Sequence, residues 1–303
     1  MKRIHEKDLF EVSDTLYPHG RLIEAKRLEG GFSCDVFILD IKTANKEVKL
    51  VFRSEGSYPA DNSIETEFNL LKVLNKTNLP VSEAIYLDTS CEILHRPFMI
   101  MSYLDGSLGT SNEKVICDHE LMATQLRNIH QIEIDKLSEL SLRVDPLDQL
   151  LSYIPNGRDW NEIRNFIKNL TIDEYKGKKC LLHGDYWPGN ILWNNENISG
   201  ILDWEYAAIG DPLADLAVTC LDARYSNGEI GMNSFKQKYL GNEKIDEYRF
   251  NLWLIYIAAS TLHYINNWNL DRQTKSIMKR ESKLTILGSV SYTHLRAHET
   301  YVH

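Results

Sequence analysis

The chain has 303 residues, 43% apolar and 25% charged, which fits a folded globular protein and excludes the disordered and fibrous classes. A formal charge of −9 argues against a nucleic-acid partner, which needs a basic footprint, but leaves room for a locally positive site. Apolar runs such as 98–101 and 252–259 are too short to span a bilayer and the first ten residues are charged, so no membrane partner and a cytoplasmic location are expected. The five cysteines (34, 91, 117, 180 and 220) are scattered without a CxxC pair and read as reduced structural thiols.

In chain order, residues 23–28, 35–41 and 48–52 are β-rich runs, and Gly30-Gly31 marks a turn between the first two. Residues 63–74 switch to a helical period. Ile64, Phe68, Leu71 and Leu74 form one apolar stripe there, with Asn62 or Ser63 placed to cap it. Residues 81–87 and 97–102 read as two further strands, after which Gly106 sits in a short polar stretch as a hinge. Beyond it the pattern is helical: 120–130 is amphipathic with Leu121, Leu126 and Ile129 inward, and 136–178 carries additional helices. A loop-rich block follows at 180–211, and 212–221 and 250–265 read as buried helices. Residues 291–303 hold three of the ten histidines and show no amphipathic period. They are similar to translated adaptor sequence and are set aside from the fold.

The block 181–211, LLHGDYWPGNILWNNENISGILDWEYAAIGD, carries the chemistry. Two apolar runs, 191–193 and 198–202, suit a β-hairpin that presents Asp185, Asn190 and Asp203 at one end. Such a set suits phosphoryl transfer: one carboxylate accepts the proton of an attacking hydroxyl, while the amide oxygen and the other carboxylate are hard ligands for Mg2+. Each residue alone has an ordinary explanation, as a turn former, a helix cap or a strand end. Their joint spacing, D-x-x-x-x-N, is that of the protein-kinase catalytic loop.

His183-Gly184-Asp185 with Asn190, followed by I-L-D-W-E at 201–205, resembles the aminoglycoside phosphotransferase and choline kinase superfamily, whose members are protein-kinase-like small-molecule kinases. The likeness spans roughly residues 20–265. It implies an α+β, two-lobed fold with a small β-rich N-terminal lobe (1–103) that binds nucleotide and a larger, mainly helical lobe (104–290) that holds the catalytic and acceptor sites. It implies ATP or GTP with Mg2+ as cofactors, Asp185 as catalytic base, and Asn190 and Asp203 as metal ligands. His183 would support the catalytic loop, and Asp211 and Asp215 would brace it and cap the next helix.

On the nucleotide side, such a lobe needs a glycine turn, a strand cation and a helix glutamate to orient that cation. The matching residues are Gly30, Gly31 and Ser33, then Arg53, then Glu67. Arg53 stands where protein kinases carry lysine, and a guanidinium can bind phosphate and carboxylate together. Glu67 falls on the helix face of Leu71 and Leu74, away from Lys72. The resemblance places the base of the nucleotide against Met101, near the backbone of Ser102 and Leu104.

The acceptor is expected to be a small molecule with a free hydroxyl. Asp203, Glu205, Asp211, Asp215, Asp222 and Glu229 face one basic residue, Arg224, over the same span, an excess compatible with a cationic acceptor or with a solvated acidic face. A metal-dependent phosphatase built on His183, Asp185 and Asp203, and a nucleotide-binding pseudoenzyme, are the competing readings.

Overall fold

The computed structural model describes residues 4–28, 34–56, 61–109, 118–170 and 173–300. Its elements in chain order begin with α1 (Asp8–Leu16), β1 (Arg21–Arg27), β2 (Cys34–Lys42), β3 (Glu47–Glu55), α2 (Ile64–Leu74), β4 (Ala84–Asp88), β5 (Phe98–Ser102) and β6 (Ser107–Leu108). They continue with α3 (His119–His130), α4 (Leu147–Tyr153), α5 (Asn161–Lys168), β7 (Cys180–Leu182), β8 (Ile191–Asn194), β9 (Asn197–Ile201) and β10 (Ala208–Gly210). Three long helices end the chain: α6 (Leu213–Leu240), α7 (Glu247–Tyr264) and α8 (Arg272–Thr300). The protein is α+β, with a β-sheet N-terminal region and a helical C-terminal one. Two compact units divide it: Met1–Cys117 with Asp135–Leu140 and Pro188–Ala207, and Asp118–Ile134 with Ser141–Trp187 and Ala208–His303.

In the first unit, five antiparallel strands lie in the order β1-β2-β3-β5-β4. The strict alternation of β2, with Phe37, Leu39 and Ile41 buried, gives the sheet one apolar face. Leu9 and Val12 of α1 join that face in one cluster with Phe52 and Phe98, whose rings stack at 5.3 Å. Helix α1 escapes the sequence reading because nine residues with two deeply buried apolar positions make a weak period. Helix α2 has the expected cap, Ser63 Oγ accepting from Thr66 N, and buries the expected stripe together with Glu67. A second sheet, β6-β8-β9, contains the hairpin expected around 191–202. Gly106 lies against that hairpin. At its φ of +153° an added Cβ would meet Ser199 Oγ at 2.5 Å, so the glycine permits close packing here.

The second unit pairs β7 with β10 and packs helices around α7, whose buried residues include Phe250, Leu252, Trp253 and Ile255. Helix α6 runs well past the expected 212–221. Asn227 (φ −133°) and Gly228 (φ +61°) leave helical geometry and set a kink at which two helical stretches meet. Below the kink, Tyr225 Oη lies 2.8 Å from Ser282 Oγ of α8 and donates to Thr261 Oγ1 of α7, while Arg224 Nε donates to Glu281 at 2.9 Å. Helix α8 continues through Thr300 and buries Thr293, whose Oγ1 donates to Ser289 O, so part of 291–303 is helical despite its lack of period. A helix already nucleated needs only one backbone bond per added residue to extend.

Among the described residues no helix is long and apolar enough to cross a membrane, and Cys34, Cys91, Cys180 and Cys220 form no disulfide. Buried Arg249 of α7 ties the second unit together. It pairs with Asp211 and Asp145 and donates to Asp173 O at 3.0 Å, while Trp253 Nε1 donates to the same Asp211 carboxylate at 2.8 Å. Arg249→Leu would leave the Asp211 carboxylate buried without its cation, so a loss of about 3–5 kcal/mol in denaturant unfolding is expected.

Candidate active site

The expected site residues divide between the units. Arg53, Glu67, Met101, Ser102, Leu104, Asn190 and Asp203 belong to the first, and Asp185 belongs to the second. Gly30, Gly31 and Ser33 lie outside the described residues.

In the first unit Arg53 is the centre of a charge cluster. It sits on β3 opposite Val36 and Met99, and its side chain is buried. Nη2 donates to Asp203 Oδ1 at 2.9 Å and to Glu205 Oε2 at 2.8 Å. Nε stands 3.0 Å from Glu67 Oε2, in the geometry of an ion pair rather than a well-aimed hydrogen bond. The loop that brings Asp203 and Glu205 is tied to the start of α2: Asn62 N donates to Glu205 O at 3.0 Å and Asn62 Nδ2 to Ala207 O at 2.8 Å. Burial would lower the Arg53 pKa, but Glu67, Asp203 and Glu205 raise it well above its usual value. Burial pushes the Glu67 carboxyl up to about 7 against the pull of Arg53, and the two other carboxylates add to the push. One cation therefore serves three carboxylates, and the cluster keeps an excess of negative charge. Glu205 was legible only as part of the I-L-D-W-E string, and its pairing with Arg53 could not be read from spacing.

Asn190 and Asp203 flank the hairpin at one end. Ile191 pairs with Ile201, and Leu202 N donates to Asn190 O at 2.8 Å. Asp203 takes a left-handed backbone (φ +63°), a conformation aspartate tolerates better than most residues and one that recurs at functional sites. Among the described residues no group of three or more His, Cys, Asp or Glu is arranged to hold a metal. An amide oxygen and one carboxylate, beside a negative excess, fit Mg2+, which keeps water and phosphate oxygens in its shell, better than a metal held by protein alone.

At the end of β5, Ser102 spends its amide on Glu83 O at 2.9 Å, and its Oγ accepts from Glu83 N at 2.8 Å. A contact from Ser102 to a nucleotide base would have to use its carbonyl. Leu104 packs where Gly200 of β9 allows it, since a Cβ there would meet Leu104 Cδ1 at 3.0 Å. Met101 pairs with Val51 and Ala84.

In the second unit β7 leads into the loop 183–187. Buried Asp215, on the first turn of α6, accepts from His183 N at 2.8 Å, Gly184 N at 2.9 Å and His130 Nε2 at 3.1 Å. Burial alone would raise the Asp215 pKa, but the His130 hydrogen bond and charge with the His183 amide hold it below the usual carboxylate range. Gly184 has φ +84°, which explains a glycine between the histidine and the aspartate. His183 Nδ1 accepts from Asp185 N at 3.3 Å, the supporting role expected for it. Thr219 Oγ1 donates to Tyr186 O at 2.6 Å, and Asp211 Oδ1 caps α6 by accepting from Leu213 N. Two neighbours of Asp185 were not anticipated. Trp187 Nε1 donates to Asp185 Oδ2 at 3.2 Å, and burial with the Asp185 charge pushes the Asp222 carboxyl up to about 7. Trp187 lies two residues from Asp185 and Asp222 lies seven beyond Asp215, signals too short or too long for the hairpin argument to use.

Comparison with known proteins gives the family and fold of the chain. The pattern of the phosphotransferase enzyme family matches residues 24–250. Acyl-CoA dehydrogenase family member 10 of Mus musculus is 23% identical over 256 residues, covering 76% of this chain and 23% of that protein. The "Probable aminoglycoside 3'-phosphotransferase" of Lactococcus lactis is 24% identical over 228 residues, covering 68% of this chain and 83% of that one. The chain spans about a quarter of the length of the acyl-CoA dehydrogenase relatives it matches. In structure, the GDP complex of aminoglycoside 2'-phosphotransferase-IIIa superposes with a TM-score of 0.65 at 16% identity, covering 91% of this chain and 96% of that one, which shows a shared kinase-like fold. With three quarters of its length inside the family pattern, the chain belongs to the phosphotransferase enzyme family.

Proposed function

We propose that this protein is a small-molecule kinase that moves the γ-phosphoryl group of ATP or GTP to a hydroxyl of an aminoglycoside-like or amino-alcohol acceptor. The observation that carries the reading is the buried Arg53 held by Glu67, Asp203 and Glu205, a strand cation oriented by a helix carboxylate as phosphate binding requires. The GDP complex of a structural neighbour supports a nucleotide donor, and the negative excess in both units favours a cationic acceptor. Residues 1–103 would supply the nucleotide site and 104–290 the base and acceptor site, in a cytoplasmic enzyme.

In this reading the acceptor oxygen attacks the γ-phosphorus, the bond to the bridging oxygen breaks, and the hydroxyl proton passes to the Asp185 carboxylate. Asn190 and Asp203 would hold Mg2+, which supplies charge neutralisation on the phosphates. Arg53 binds phosphate oxygens through its fork, with Glu67 fixing its direction. Gly30, Gly31 and Ser33 offer backbone and hydroxyl donors, and Met101, Ser102 and Leu104 border the base. Catalysis rests on positioning and charge stabilisation, without a covalent enzyme intermediate.

A coupled ADP-release screen over aminoglycosides, macrolides, amino-sugars and amino-alcohols tests the activity; no acceptor-dependent release from either nucleotide would refute it. With an acceptor in hand, Asp185→Asn is expected to lower kcat by about 10²–10⁴ with nucleotide affinity nearly intact. Titration with nucleotide in the presence and absence of Mg2+ checks the metal ligands. Asp203→Ala should abolish the metal-dependent part of binding, and Asn190→Ala, which removes no charge, should weaken it less. Arg53→Ala and Glu67→Ala should each raise the nucleotide KM. Because they act as one unit, the double variant should cost much less than the sum; simple additivity would show that they work apart.

A further inference from the structure

One face of α6 runs along the loop that carries Asp185. Asp215 takes the amides of His183 and Gly184, and Thr219 donates to Tyr186 O one turn further on. Asp222, two turns on from Asp215, brings its carboxyl into the field of Asp185. Asp215 and Thr219 are fully engaged. Asp222 is half-buried and has no hydrogen-bond donor among the described residues. The other titratable groups around the loop are committed: His183 Nδ1 accepts from Asp185 N, and His130 of α3 bridges Asp215 and Tyr239.

Two neighbouring carboxyls that share a desolvated space do not both ionise freely; the one whose charged form is better hydrogen-bonded gives up its proton first. Asp185 has such a donor in Trp187 Nε1, 3.2 Å from Oδ2, whereas Asp222 has none among the described residues. We propose that Trp187 is a positioning residue, whose indole N–H holds Asp185 in one rotamer and in the charged form a proton acceptor needs, so that the proton of the pair resides on Asp222. The upward push on Asp222, to about 7, agrees with that division. A histidine kept for loop support and an indole kept for the base then have separate tasks.

The proposal builds on the reading of Asp185 as the base, but its first test does not need activity. Carboxyl carbon NMR of the full chain labelled at aspartate gives the two titration midpoints, assigned by the Asp185→Asn and Asp222→Asn spectra. Asp222 is expected to have the higher midpoint, and the reverse order overturns the proposal whether or not any variant at 187 folds. Trp187→Phe, which keeps a ring and loses the donor, should raise the Asp185 midpoint by about one unit, a roughly tenfold gain in proton affinity. Trp187→His, which retains an N–H, should leave it at or below the parental value. A midpoint unmoved by Trp187→Phe in a folded variant would show that the hydrogen bond does not set the charge of Asp185. In kinetics, the acidic limb of the kcat–pH profile should move up with Trp187→Phe and stay nearly unmoved by Asp222→Asn, because a protonated Asp222 carries no charge over that limb; a limb that Asp222→Asn shifts down by about one unit would show that Asp222 is ionised there and overturn the proposal. Parental midpoints that follow this order with no acceptor-dependent turnover would refute the kinase reading alone.

Discussion

A guanidinium removed from water must find its counter-charges inside the protein, and Arg53 finds them on three separate pieces of chain. Glu67 comes from α2, and Asp203 and Glu205 from the loop after β9, while Arg53 itself is fixed in the middle of the sheet by pairing with Val36 and Met99. None of these pieces can retreat without leaving a buried charge exposed to a low-dielectric interior. Asn62 adds neutral hydrogen bonds that hold the 203–207 loop to the head of α2. The position of Asp203, and through the hairpin that of Asn190, follows from where the arginine sits on its strand.

The second unit uses the opposite sign for the same purpose. There a buried carboxylate, Asp215, is the organiser. It gathers two backbone amides from the loop before Asp185 and an imidazole from α3, and its depressed pKa reflects how many donors it has collected. Arg249 does for the helices what Asp215 does for the loop, joining α7 to the start of α6 and to the segments at Asp145 and Asp173. In each unit the residues expected at the site are held by buried ions. Rigidity in these segments is thereby obtained from electrostatics as well as from apolar packing.

Much of this was legible because the relevant signals are local. The apolar stripe of α2, its serine cap and the inward Glu67 are all set by a period of 3.6 over one helix, and the hairpin at 191–201 by two short apolar runs. What stayed hidden depends on contacts between segments far apart in sequence. The pairing of Arg53 with Glu205 spans 152 residues, and Asp222 meets the field of Asp185 only because α6 passes the loop. Helix α1 was missed for want of apolar positions, and α8 because a long partly exposed helix has little stripe to show. The buried helix expected at 212–221 stops short of the observed break, because the backbone leaves helical geometry only at Asn227 and Gly228, after which a second helical stretch follows.

That bend also divides α6 by how freely its length can drift. Ahead of it, Asp215, Thr219 and Asp222 are useful only at their present spacing, since one inserted or deleted residue would turn every later side chain by about 100° around the axis. An indel between Asp215 and Asp222 would thus leave a helix while taking Thr219 off Tyr186 O or Asp222 away from Asp185. Beyond Asn227 and Gly228 the helical phase is already broken, and the turn at Gly241 (φ +58°) offers a second place to absorb a change. Across diverging descendants of this chain, gaps in α6 should therefore collect after residue 227, leaving the fourteen residues from Leu213 to Ser226 at constant length.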